Sequence, residues 1–156
     1  MTQAKSLIRS GLDEPALCAL AARLAPSVRD GGIIHLRGEL GAGKSTFARA
    51  LLQALGVGAR VKSPTYSLIE SYRVGTLAIH HLDLYRIADP GELEWLGLAD
   101  LVAEPHLLVI EWPERGAGTI PAADLNVLLS HAGAGRDVAL TATSPRGAVW
   151  LGTLQP

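Results

Sequence analysis

The chain has 156 residues and a formal net charge of −1 at pH 7, a size that predicts one domain over residues 1–156 and leaves no room for two nucleotide-binding halves. Hydrophobic residues make up 48% and aromatic residues only 4%, so the expected core is aliphatic. Near-neutral charge without a Lys or Arg cluster excludes tight direct binding of nucleic acid through phosphate neutralisation, and the absence of a membrane-length apolar run or a signal-peptide pattern predicts a cytoplasmic protein with no membrane contact.

In chain order, Asp13 is a suitable N-cap, Pro15 falls in a first helical turn, and Leu17, Leu20, Ala21 and Leu24 repeat at helical spacing up to Pro26. Cys18 lies on this helix among Leu17, Ala19 and Leu20 and is expected to be a buried, inert thiol. The apolar, β-branched run at residues 33–37 predicts a strand, and residues 46–55 predict a helix with Phe47, Ala50, Leu51, Ala54 and Leu55 on its apolar positions, closed by Gly56. Between them stands Gly38-Glu39-Leu40-Gly41-Ala42-Gly43-Lys44-Ser45, a full G-x-x-x-x-G-K-[ST] pattern in the required strand, loop, helix order. Such a loop folds tightly enough that successive backbone N–H groups point at one anion, while the lysine reaches the terminal phosphates and the hydroxyl can hold Mg²⁺.

Downstream, residues 66–72 partly alternate in polarity, Val74-Gly75-Thr76 reads as a tight turn, and residues 77–82 as a returning strand. A hairpin at this point argues against a simple doubly wound parallel sheet. It favours an α/β fold with a mixed, partly antiparallel sheet. Asp89-Pro90 opens a short helical stretch through Glu92, Leu93, Trp95 and Leu96, broken at Gly97, resumed toward Val102 and stopped by Pro105. Leu107-Leu108-Val109-Ile110 predicts a central buried strand ending in Glu111. Strands are expected near residues 125–129 and 137–143, and no helix is read in the final third.

An acid at the C-terminal end of a central strand faces the ligand crevice of an open α/β sheet. Two such acids compete here, Glu111 and Asp83; Glu111 is assigned to Mg²⁺, directly or through water, opposite Ser45. Asp83 is assigned to the surroundings of the metal or to the attacking water, with a strand-end cap or a partner of Arg86 as the plain alternative. Thr65, in Ser63-Pro64-Thr65, stands where nucleotide switches place a hydroxyl that senses the γ-phosphate, and equally where an ordinary turn would lie. Trp112 is read as a nucleotide contact or as a rim aromatic covering the sheet end. Arg115 and Arg136 are candidate phosphate or partner contacts. His80 and His81 lack a ligand cluster at metal spacing and are read as structural.

Taken together, the phosphate loop at 38–45, Ser-Pro-Thr-Tyr-Ser-Leu at 63–68, His-Leu-Asp-Leu-Tyr-Arg at 81–86, Glu94 with Leu96-Gly97-Leu98, and Glu-Trp-Pro-Glu-Arg at 111–115 resemble the TsaE (YjeE) family in order and spacing. The resemblance implies a P-loop NTPase-like three-layer fold with a mixed central sheet, and an ATPase of tRNA threonylcarbamoyladenosine synthesis acting with TsaB and TsaD proteins. It carries catalytic roles onto Lys44, Thr65, Asp83 and Glu111, and Mg²⁺ coordination onto Ser45 and Glu111. ATP binding falls on Gly38, Gly41, Ala42, Gly43, Lys44, Ser45, Thr46 and Trp112, with Arg136 the least anchored in a motif. Glu39, Ser45 and Tyr66 stand where the family often has Asp, Thr and Phe; none of the three removes a required group.

The absence of a basic surface agrees with tRNA being reached only through the partner complex. Slow hydrolysis by the isolated chain, raised by partners, is expected because no arginine finger stands out in these motifs. The rivals are a small-molecule kinase with the same loop, which would need an acceptor site and an arginine-bearing lid, and a nucleotide switch that binds without useful hydrolysis.

Overall fold

The computed structural model describes residues 6–154 other than 59, 60, 66 and 96. Seven strands, β1 (Ser6–Leu12), β2 (Gly32–Gly38), β3 (Ile69–Val74), β4 (Leu77–Asp83), β5 (His106–Glu111), β6 (Leu125–Ala132) and β7 (Gly135–Ala142), make one sheet in the order β1-β7-β6-β2-β5-β4-β3. The central ladders β6/β2, β2/β5 and β5/β4 are parallel, whereas β1/β7, β7/β6 and β4/β3 are antiparallel. The mixed sheet is therefore as the sequence predicts, with the hairpin at β3–β4 on one flank.

Alternation along the strands divides the apolar side chains between two cores. Ile34, Leu36, Ile79, Leu107, Val109, Val127 and Leu140 pack with α1 (Glu14–Leu24), α2 (Lys44–Leu55) and α5 (Pro145–Leu154). Ile110, Leu108 and Leu82 point the other way, into a smaller core with Leu84, Ile87, Leu93 and Leu98, covered by the one-turn helices α3 (Glu92–Trp95) and α4 (Leu98–Leu101). Three layers result. Asp13 caps α1 by accepting from Ala16 N at 2.9 Å, and Leu17, Leu20, Ala21 and Leu24 form its buried stripe. Cys18, on the flank of that stripe, is half-buried and free, more exposed than the sequence suggests.

Two elements escape the sequence reading. Strand β1 has one well-buried residue, Leu7, so its pattern carries no clear alternation. Helix α5 opens on Pro145, a position proline tolerates, but contains Gly147 and Gly152, both poor helix formers; burial of Trp150, Leu151 and Leu154 against the first core overrides propensity. Gly147 is required there, because a Cβ would come within 1.8 Å of the Asp124 carbonyl oxygen.

Asp124 ties that corner together. Its carboxylate accepts from Ile33 N at 2.9 Å and from Ser144 Oγ at 2.6 Å, and Ser144 Oγ in turn accepts from Gly147 N at the start of α5. Removing the carboxylate orphans a strand N–H and frees the helix cap. Asp124→Ala should cost about 2 kcal/mol of stability in chemical denaturation. Arg146→Ala, which removes only an exposed guanidinium 3.9 Å from the same acid, should cost less than about 0.5 kcal/mol.

Candidate active site

The four parallel central strands, β6, β2, β5 and β4, end on one edge of the sheet. The phosphate loop leaves β2 there, Glu111 ends β5 and Asp83 ends β4, with Asp83 and Glu111 paired in register and Leu36 paired with Glu111 on its other side. Both acids are buried, at 6% and 2% exposure. A cleft of 380 Å³ opens at this edge, walled by Gly41, Gly43, Lys44, Ser45, Thr46 and Thr65, and by Asp83, Glu111 and Trp112. Nearly all the residues expected to bind or act on a nucleotide thus meet in one place. Gly38 and Ala42 belong to the same loop, Ala42 fully buried beneath it.

Helix α2 begins at Lys44, two residues before the predicted start, from Gly43 at φ 108°. That left-handed conformation suits glycine. No side chain caps the helix, so its first N–H groups remain available to an anion at the positive end of the helix dipole. Lys44 is 5% exposed and donates to the carbonyls of Gly38 at 2.6 Å and Glu39 at 2.9 Å, with its ammonium 4.3 Å from the Trp112 ring centroid. Burial pulls its pKa below the ordinary lysine value, opposed by the negative charges of Glu111, Asp83 and Glu114.

Ser45 Oγ donates to both oxygens of Glu111, at 3.0 and 3.2 Å. His81 Nε2 lies 2.6 Å from Glu111 Oε2. The two histidines read together as structural thus separate. His80 faces the other side of β4 and bonds Ser71 Oγ through Nδ1 at 2.7 Å, a hairpin contact, whereas His81 touches the acid of the site. The signal available in sequence was its spacing, two residues before Asp83 on an alternating strand.

Asp83 Oδ1 accepts from Tyr85 N at 3.0 Å, so it caps the strand end while also lining the cleft. Burial raises its pKa above the ordinary aspartate value; the Tyr85 N–H opposes this, the Glu111 charge adds to it, and His81 and Lys44 oppose it. Thr65 lies on the cleft wall with its hydroxyl 2.7 Å from Ser63 Oγ. Trp112 adopts φ 58°, uncommon for a bulky residue, and its ring lies 4.9 Å from that of Tyr85. Tyr85 and Arg86 also line the cleft, and residue-type reasoning did not select either.

Arg136 and Arg115 are not on the cleft wall. Arg136 braces the loop from outside, donating to the Gly41 carbonyl at 3.1 Å, and Arg115 stacks 5.1 Å from the Tyr85 ring. A larger hollow of 680 Å³, walled in part by Leu93, Leu98, Val102 and Ile120, lies beside the smaller core. Its described walls hold no Lys or Arg, whereas the smaller cleft is walled by Lys44 and Arg86.

The Ser45–Glu111 pair fits a Mg²⁺ ion by chemistry: both donors are oxygens, and Mg²⁺ is ordinarily held by one or two carboxylate or hydroxyl groups together with substrate phosphates and water. Among the described residues no cluster of three His, Cys, Asp or Glu could hold a metal ion.

Residues 12–138 match the family model for the threonylcarbamoyl adenosine biosynthesis protein TsaE. The chain is 43% identical over 115 residues to the tRNA threonylcarbamoyladenosine biosynthesis protein TsaE of Haemophilus influenzae, covering 74% of this chain and 73% of that one. It is 33% identical over 129 residues to the Bacillus subtilis protein of the same name, covering 82% and 80%. The crystal structure of Bacillus subtilis YdiB superposes with a TM-score of 0.79 at 25% identity, over 99% of this chain and 97% of that one. The fold is accordingly that of a P-loop protein with a mixed sheet.

Because burial raises the Asp83 pKa, ionising this group costs the folded state. The cost is fully present above the raised folded value and vanishes below the unfolded one. Asp83→Asn keeps an oxygen to accept from Tyr85 N, so it should raise the melting temperature by a few degrees near about pH 7. The gain should shrink as the pH is lowered toward about 4, as thermal melts across that range would record.

Proposed function

The chain belongs to the TsaE family, and from that membership and the geometry of the cleft we propose that it binds and hydrolyses ATP with Mg²⁺ in the synthesis of tRNA threonylcarbamoyladenosine, acting with TsaB and TsaD proteins. The observation that carries the reading is the 3.0 Å contact between Ser45 and Glu111 at the mouth of a phosphate loop whose Lys44 is buried.

In this reading the terminal phosphates replace the Gly38 and Glu39 carbonyls as partners of Lys44, and the uncapped N–H groups at the start of α2 bind the same oxygens. Ser45 and Glu111 hold the metal side, Glu111 directly or through water. When bound, Mg²⁺ neutralises charge that develops on the phosphate oxygens. Asp83, with its raised pKa and its place on the cleft wall, orients the attacking water and is a better proton acceptor than an ordinary aspartate. Thr65 supplies a hydroxyl to the γ-phosphate side. Trp112 contacts the nucleotide or covers the sheet end.

No helix among the described residues is long and apolar enough to cross a membrane, and we place the activity in the cytoplasm. With a net charge of −1, the chain reaches tRNA through its partner proteins, so the energy of hydrolysis goes into remodelling the complex. Alone, the chain hydrolyses ATP slowly.

The deciding experiment is modification of unmodified tRNA by TsaB and TsaD proteins with this chain, without it, and with Lys44→Ala. Repeated turnover is expected only with the intact chain, and Lys44→Ala should lower ATP hydrolysis on the order of 10²-fold or more. Turnover independent of the chain or of Lys44 defeats the assignment. Transfer of labelled phosphate to a nucleoside or metabolite would point to a kinase, and tRNA modification that survives loss of hydrolysis in Asp83→Ala would point to a binding-only switch.

A further inference from the structure

We propose that His81 is a positioning residue for the metal-side carboxylate, holding Glu111 in the one orientation that serves Ser45 and a nucleotide-bound Mg²⁺ together; the inference rests on the nucleotide reading above. In the parallel β4/β5 ladder His81 pairs with Val109, and Asp83 with Glu111. His81 therefore stands one side-chain step behind the acid on the same face of the sheet. Its Nε2 donates to Glu111 Oε2 at 2.6 Å, and the two side chains are 2% and 3% exposed.

Glutamate at this position has one more rotatable bond than aspartate, the more usual strand-end acid of phosphate-loop enzymes. Mg²⁺ demands near-ideal octahedral geometry, so a carboxylate free to swing serves it poorly. Among the described residues no Lys or Arg pairs with Glu111; its hydrogen bonds come from Ser45 and His81. A Ser45 hydroxyl that offered a lone pair to the metal would keep its proton and could still donate it in a hydrogen bond to Glu111, and His81 would fix the remaining freedom of the carboxylate.

His80 and His81 each have one bonded ring nitrogen and one buried without a partner among the described groups, but His80 bonds the Ser71 hydroxyl across the hairpin, whereas His81 bonds the acid of the site. The Nδ1 of His81 is buried without a partner among the described groups, so Glu111 is the ring's one polar tie. An apolar side chain would fill the slot at lower desolvation cost. Hydrogen-bonded supports of metal-ligating groups of this kind typically change metal affinity 10–100-fold when removed.

The test is calorimetric titration of the full chain with ADP at a series of Mg²⁺ concentrations and again in EDTA. His81→Leu should raise the Mg²⁺ concentration for half-maximal enhancement of ADP binding at least about tenfold, with affinity in EDTA within about threefold of wild type. His81→Gln, whose amide can donate from the reach of Nε2, should return within about threefold of wild type, whereas His81→Asn, too short, should not. If His81→Leu does not fold, the Gln and Asn variants decide between them. An unchanged Mg²⁺ midpoint in His81→Leu overturns the proposal, as do equal midpoints for Gln and Asn. So does a loss of EDTA affinity that matches the loss with Mg²⁺. A wild-type chain that binds no ADP, or binds it without regard to Mg²⁺, overturns the nucleotide reading itself and this proposal with it.

Discussion

A carboxylate buried at the end of the most apolar strand is the group around which this edge of the molecule is arranged. Isolated, an ionised Glu111 in such a place would be prohibitively costly. It is kept there by a hydroxyl from the first turn of α2 and an imidazole from β4. Each comes from a different neighbour in the fold, so the acid can be satisfied only when β2, β4 and β5 are assembled in order and α2 springs from the loop after β2. Asp83, paired with Glu111 across the ladder, feels that same charge as one of the causes of its raised pKa.

Lys44 solves the opposite problem. Its ammonium is withdrawn from water and bonded to two carbonyls of its own loop, with the Trp112 ring on another side. An incoming anion must compete with those contacts, and a phosphate does so because it brings full negative charge where the carbonyls bring only dipoles. The lysine is thereby held at the mouth of its own loop. The left-handed backbone of Trp112 belongs to the same arrangement: its N–H bonds the Leu36 carbonyl at 3.3 Å, turning the chain as it leaves β5 so that the ring meets Lys44.

What could be read in the sequence follows the physics of each signal. The phosphate loop, the strand ending in Glu111 and the hairpin turn at Gly75 depend on local chemistry, and the structure has them where the residues put them. Helix α5 is stabilised by contacts of Trp150 and Leu154 with distant elements and by a glycine that admits the Asp124 carbonyl. Local propensity at Gly147 and Gly152 argued against it. His81 was hidden for a related reason. Its neighbour His80 is chemically identical in sequence, and only strand alternation, which sends one ring to the hairpin and the other to the acid, tells them apart.

Alternation of burial just beyond β4 explains why the smaller core matters to the site. Leu84 and Ile87 are buried in it, and Leu84 N bonds the Glu111 carbonyl at 3.0 Å, whereas Tyr85 and Arg86 between them are exposed and line the cleft. Leu84 and Ile87 anchor a short arch whose outward side chains, Tyr85 and Arg86, line the cleft with the phosphate loop. Gly116, whose Cβ would lie 2.8 Å from Leu84 and 3.0 Å from Leu93, lets the segment after Trp112 close onto the same core. Arg115 is thereby held beside Tyr85. The one-turn helices α3 and α4, too short to be stable alone, complete that core. Through Leu93 and Leu98 they pack in one core with Leu84 and Ile87, the residues that flank Tyr85 and Arg86 on the cleft wall.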